Sequence, residues 1–262
     1  MDGNVANPHA YPWQISMSLN ITEYAKLHTN LAEQYSIVLP DDLKEYIEKL
    51  AEAASELKHD CGGSIISPNY VLTAAHCVQQ KMLDKFKAMF DTLPPESDLF
   101  IYNHPAEEIF IVVGAHNPQS YNNNKITMTA EIERNSNIRR VFNVKIHEQY
   151  KSSDINTAYD FGIVKLASPL TYSASVAPVC LPDPAFSSTK YVGRTGTVSG
   201  WGATNPDGMD TSTVLKDLEV TVLSNEECLE KIRDATENRG RAQGFNQTVI
   251  NFLRSNASLP RY

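Results

Sequence analysis

The chain has 262 residues, of which 42% are hydrophobic and 21% charged, and a formal net charge of −8 at pH 7. Such a length buries a sizeable core in one large domain or two small ones, and such a composition excludes wholesale disorder. The acidic balance argues against a nucleic-acid partner, which needs a basic face, and no run of about 18 apolar residues is present to cross a membrane as a helix.

From the N-terminus, MDGNVANPHA has neither the basic patch nor the apolar core of a signal peptide. Short apolar segments then recur: WQISMSL (13–19), GGSIIS (62–67), YVLTAA (70–75), FIVVGAH (110–116), FGIVKL (161–166), TGTVSGWG (195–202) and LKDLEVTVL (215–223). Turn residues bound them, among them Ser67-Pro68-Asn69, Asn117-Pro118 and Asn205-Pro206-Asp207-Gly208. Many short strands between turns predict an all-β sandwich or barrel.

Two segments break this rhythm. In residues 20–58, Tyr24, Leu27, Leu31 and Tyr35, and then Leu43, Tyr46, Ile47, Leu50, Ala54 and Leu57, recur at helical spacing. A helical hairpin inserted between two strands is predicted. Residues 79–109 begin with a helical pattern (Met82, Lys85, Phe86, Met89) and continue through Leu93-Pro94-Pro95. The first insert carries eight acids against four bases and the second six against three, so nearly all the net charge lies in them. Near the C-terminus, Ser224 and Glu227 form a capping box predicting a helix from about Asn225, which Gly240 and Gly244 interrupt. Phe245, Val249, Phe252 and Leu253 suggest a further amphipathic turn or two.

Four cysteines (Cys61, Cys77, Cys180, Cys228) and three glycosylation sequons, at Asn20, Asn246 and Asn256, lean toward an oxidising, secretory destination.

CGGSIISPNYVLTAAHC (61–77) closely resembles the trypsin and chymotrypsin family of serine endopeptidases. The likeness continues in order through Ala6–Leu19, FIVVGAHN (110–117), VKIHEQY (144–150), AYDFGIVKL (158–166), PVCLP (178–182), TVSGWG (197–202) and LEVTVLSNEEC (218–228). It leaves out the inserts and about the last thirty residues. The resemblance implies a double β-barrel with the cleft between the barrels, secretion, and hydrolysis of protein or peptide substrates, with protein inhibitors as further partners and no cofactor. It implies a disulfide between Cys61 and Cys77, with His76 as catalytic base and Asp160 as the acid that orients it. Asp154 is the poorer candidate, His147 is expected to be structural, and His9, His28, His59, His104 and His116 have no motif support.

The family's Gly-Asp-Ser-Gly-Gly motif, with its nucleophile and oxyanion-hole amides, does not occur in these residues. Ser64 and Ser199 fall in expected strands, and Ser255 and Ser258 lack the glycine-flanked turn that exposes a nucleophile. Aligned on Gly3, the family's cleaved N-terminus would begin one residue before Met1. Cys180 and Cys228 are expected to lack mates within the chain. Gly114-Ala115-His116-Asn117 has alanine where a calcium-binding carboxylate would stand, so no metal site is expected there.

The expectation is therefore one peptidase domain, incomplete and inactive as given. Its first barrel spans about 12–142 with helical inserts 20–58 and 79–109, a partial second barrel spans about 143–228, and a helical tail 229–262. The acidic inserts would wall the side of the cleft where residues after the scissile bond bind, or stand as solvated helices. A non-catalytic homologue acting as a binding or regulatory module is the alternative.

Overall fold

In the computed structural model, which describes residues 3–19, 22–53, 59–81, 101–118, 137–151, 159–183, 189–205 and 211–242, short strands dominate as the turn-bounded segments predict. The chain opens with β1 (Asn4–Val5) and β2 (Gln14–Leu19), followed by helices α1 (Thr22–Gln34) and α2 (Asp41–Ala53), then β3 (His59–Ser67) and β4 (Tyr70–Thr73). A 3-10 turn at Ala75–Cys77 leads to β5 (Gln79–Lys81) and β6 (Ile101–Asn103). A second such turn, Ala106–Glu108, precedes β7 (Ile109–Val113), β8 (Ile138–Ile146) and β9 (Gly162–Leu166). β10 (Thr195–Gly200), β11 (Lys216–Thr221) and α3 (Asn225–Ala242) complete the described elements.

Six strands close into a barrel in the order β2-β3-β4-β9-β8-β7, and every pair around it is antiparallel. Closure removes the exposed edges that an open sheet must protect. Inside are Ile15, Met17, Ile65, Val71, Ile109, Ile111, Val113 and Val164, each at most 1% exposed. Each such side chain stabilises by about 1.5–3 kcal/mol relative to exposure. The outer face of β7 is buried too. Phe110 and Val112 pack with Ile138, Trp201, Leu215 and Ala6 in a second apolar cluster. That is why IFIVV reads as a continuous apolar run without alternation.

The strand rhythm missed β8. Ile138 packs in the outer cluster and Val141 inside the barrel, Arg139-Arg140 interrupts the apolar pattern between them, and a bulge between Val141 and Asn143 shifts the register beyond. β8 and β9 belong to this barrel. The boundary expected between residues 142 and 143 therefore cuts through β8, and the barrel closes only with Leu166.

The first insert is a helical hairpin. Ala25, Leu31 and Ala32 of α1 and Leu43 and Ile47 of α2 are buried, whereas Tyr35 and Tyr46, counted in the expected stripes, are exposed. α1 ends in a Schellman motif: Ser36 has φ 54°, Ile37 N donates to Ala32 O and Ser36 N to Glu33 O. Pro40 then opens α2, accepting from Lys44 N, and Asp41 and Asp42 face the positive end of its dipole. The helical start expected from Met82 lies outside the described residues. What is described of the second insert is its two ends, β5 and β6, paired as a ribbon.

The chain divides into two compact units, Met1–Leu181 with Ser199–Asp217, and Pro182–Val198 with Leu218–Tyr262. In the first, β1 pairs with the start of β11 (Asn4↔Asp217, Val5↔Lys216). In the second, Gly193 takes φ 75°, a region costly for any residue with a Cβ, and donates to Val222 O at 2.8 Å. There too Ser224 Oγ accepts from Glu227 N while Ser224 N donates to Glu227 Oε2, holding the Glu227 carboxyl below the usual range. α3 runs through Gly240, where an interruption was expected. One helical glycine costs about 1 kcal/mol against alanine, too little to stop a capped helix.

Candidate active site

Thr73 ends β4, Ala74 is extended, and the single 3-10 turn Ala75-His76-Cys77 follows. Ala75 and Cys77 point into the core, so the residue between them must face outward, and His76 has a side chain 61% exposed. Cys77 is bonded to Cys61 of β3, which ties the turn to a neighbouring strand. The two sulfurs and His76 lie close together, but sulfurs joined in a disulfide offer no thiolate to a metal ion.

Asp160 arrives from the other side of the same strand pair. Tyr159 has φ 59° and its carbonyl accepts from Phe161 N at 2.7 Å, making a tight turn with Asp160 at the apex. His147, the expected structural histidine, stacks on Tyr159 with ring centroids 4.8 Å apart and braces the turn. Gly162 pairs with Thr73, where an added Cβ would stand 3.1 Å from Ala74 O. Glycine thus permits the close approach that brings Asp160 to His76.

Both carboxylate oxygens of Asp160 are used. Oδ1 accepts from the backbone N–H of His76 at 2.9 Å, and Oδ2 lies 2.6 Å from its Nδ1. A carboxylate can only accept, so Nδ1 carries the proton and Nε2 presents a lone pair. Cys77 Sγ is 3.5 Å from Nε2, but a disulfide sulfur has no proton to give. Among the described residues no serine hydroxyl hydrogen-bonds to Nε2. Ser199 donates to Gln14 Oε1 at 2.8 Å, and Ser64 lies in β3 opposite Gln14.

The remaining histidines stand apart from this pair. His59 shares a 2.7 Å hydrogen bond with Ser16 and packs edge-on against Trp201, and burial holds its pKa below the ordinary value. His116 takes part through its carbonyl, which accepts from Trp201 Nε1 and Leu215 N. His104 meets Glu108 in a buried pair that the motif reading passed over. A His-x3-Glu spacing was its sequence signal. Cys180 is exposed and free, and Cys228 is free and half-buried. Asp154 and the sequon residues Asn20, Asn246 and Asn256 lie outside the described residues.

The family model described as Trypsin matches residues 45–96 and 106–251, reaching into both inserts and well into the tail that the sequence resemblance left out. A chymotrypsin from Phaedon cochleariae is 32% identical over 179 residues, covering 68% of this chain and 51% of that protein. A brachyurin from Leptuca pugilator is 29% identical over 168 residues, 64% of this chain and 56% of the relative. The serine proteinase stubble of Drosophila melanogaster is 26% identical over 170 residues, 65% of this chain but 17% of the relative. The chain thus spans about half the length of the first two.

Proposed function

Because the chain belongs to the trypsin family of serine peptidases, we propose that it carries the acid–base half of a secreted serine endopeptidase, with His76 as general base and Asp160 as its orienter. The observation that carries this is the two-point grip of Asp160 on the His76 backbone and ring. It fixes both the position and the tautomer of the imidazole.

Nε2 would take the proton of a serine hydroxyl as the oxygen attacks the scissile carbonyl, then deliver it to the leaving amine as the acyl-enzyme forms. A water activated by the same nitrogen would release the acid product. Asp160 would stay ionised throughout and stabilise the imidazolium. No Gly-Asp-Ser-Gly-Gly motif occurs in these 262 residues, and by themselves they should not turn over peptide. Substrates would be proteins or peptides, with protein inhibitors competing for the same site. The acidic hairpin presents Glu33, Asp41, Asp42, Glu45 and Glu48 to solvent, and we read it as a wall favouring basic residues after the scissile bond. Deleting 20–57 from the whole enzyme should relax that preference, and unchanged cleavage preferences would remove the wall.

The main test is chemical. The natural protein should react with a fluorophosphonate probe, and His76→Ala should abolish labelling. A natural protein that stays unlabelled, from a transcript with a genuine stop after Tyr262, would instead make this a non-catalytic binding module.

A further inference from the structure

The Glu108–His104 pair lies outside the dyad and takes no part in the steps above. The His104 side chain is fully buried and that of Glu108 is 6% exposed, with Nδ1 2.8 Å from Oε2. Groups this deep persist only when hydrogen-bonded, since an unpaired buried charge is strongly disfavoured.

The pair connects to His76 through the backbone. His104 N donates to Val78 O at 3.0 Å, and Val78 N in turn donates to Ala75 O, closing the turn that carries His76. Between Val78 and His104, β5 and β6 zip together, and Gln79 Nε2 donates to Asn103 Oδ1 at 2.7 Å. On its other side Glu108 ends the 3-10 turn that feeds directly into β7, a strand buried at every position. The electrostatic neighbourhood is shared as well. Asp60 is exposed as a residue, yet desolvation raises its carboxyl pKa, and the imidazoles of His104 and His76 both lie near enough to oppose that shift.

We propose that Glu108 and His104 are positioning residues for His76: their buried contact anchors the root of the β5–β6 ribbon to the barrel and so holds the turn that aims the imidazole at Asp160. The inference rests on the reading of His76 as general base. A knot that only stabilised the fold would leave the His76–Asp160 hydrogen bond unaltered once the protein had folded.

In the full-length activated protein, Glu108→Met removes the acceptor at similar length, and Glu108→Gln keeps an acceptor oxygen. Glu108→Met should lower kcat about 10- to 100-fold with KM within about twofold, and broaden or abolish the low-field proton resonance of His76 Nδ1–H. Glu108→Gln should restore most of both. A folded Glu108→Met protein with unchanged kcat and an unchanged resonance overturns the proposal. Should that variant not fold, amide exchange in the unmodified protein decides. The His76, Val78 and His104 amides should open together, and exchange at His104 more than about 100-fold faster than at His76 overturns it. An unmodified protein that ignores the fluorophosphonate would defeat the peptidase reading, while the resonance and exchange measurements would still judge the anchor.

Discussion

Asp160 offers two oxygens to two donors that cannot exchange places, and this determines what an amide would do there. In Asp160→Asn, the His76 backbone N–H still demands an acceptor, so the amide oxygen takes the Oδ1 position and its NH2 faces Nδ1. Nδ1 must then accept, the proton moves to Nε2, and the lone pair proposed above to take the serine proton is lost. In the whole enzyme kcat should fall by about four orders of magnitude, with folding intact, as steady-state kinetics beside a melting curve would show. His59 gives a second prediction. Its pKa is held below the ordinary value of about 6.5 by burial. Below that pH the unfolded chain binds a proton that the folded chain resists, so the stability His59 contributes is complete above about pH 6.5 and is lost as pH falls toward its folded pKa. Urea unfolding between pH 7.5 and 5.5 should show this decline, and His59→Gln should make it shallower. Nothing in the spacing of the sequence marked His59, because its environment comes from Ser16 and Trp201, each far away along the chain.

At the scale of elements, the disulfide closes a loop with a sequence separation of 16 that contains most of β3, all of β4 and the His76 turn. Replacing both cysteines by serine should cost about 3 kcal/mol through the freedom restored to the unfolded chain, read as a shift in denaturant midpoint at constant m-value. Elements were legible where burial was simple. Gly162–Leu166 alternates buried and exposed, and its FGIVKL run was visible as a strand. The hairpin helices were visible because Leu43 and Ile47 recur on one face. Ile138–Ile146 was not, since a bulge breaks period two and its pairing partners lie in distant segments. The turn around Asp160 was legible only by resemblance. Its geometry depends on a left-handed Tyr159 and a stacked His147, which no local pattern encodes.

For the molecule as a whole, the closed barrel and the second unit should differ in how readily they open. Amides of β2, β7 and β9 are interior to a barrel without edges, and Ile15, Ile111 and Val164 there are wholly buried. β11 has only half-buried and exposed positions, and Leu218 is 45% exposed. Hydrogen exchange should therefore be slowest in the barrel strands and faster in Leu218–Thr221 and α3. Comparable protection in both would show that they unfold as one cooperative body.

The β5–β6 ribbon has an evolutionary consequence. Gln79↔Asn103 through Lys81↔Ile101 bring the ends of segment 82–100 to adjacent strand positions immediately beyond the His76 turn. Whatever chain is spliced in above that clamp meets the same closed neck, and doubling its length adds only about 0.6 kcal/mol of closure entropy. The segment can thus be exchanged wholesale while the imbedded chemistry stays put. It is a socket into which new sequence can be grafted without rebuilding the turn that carries His76.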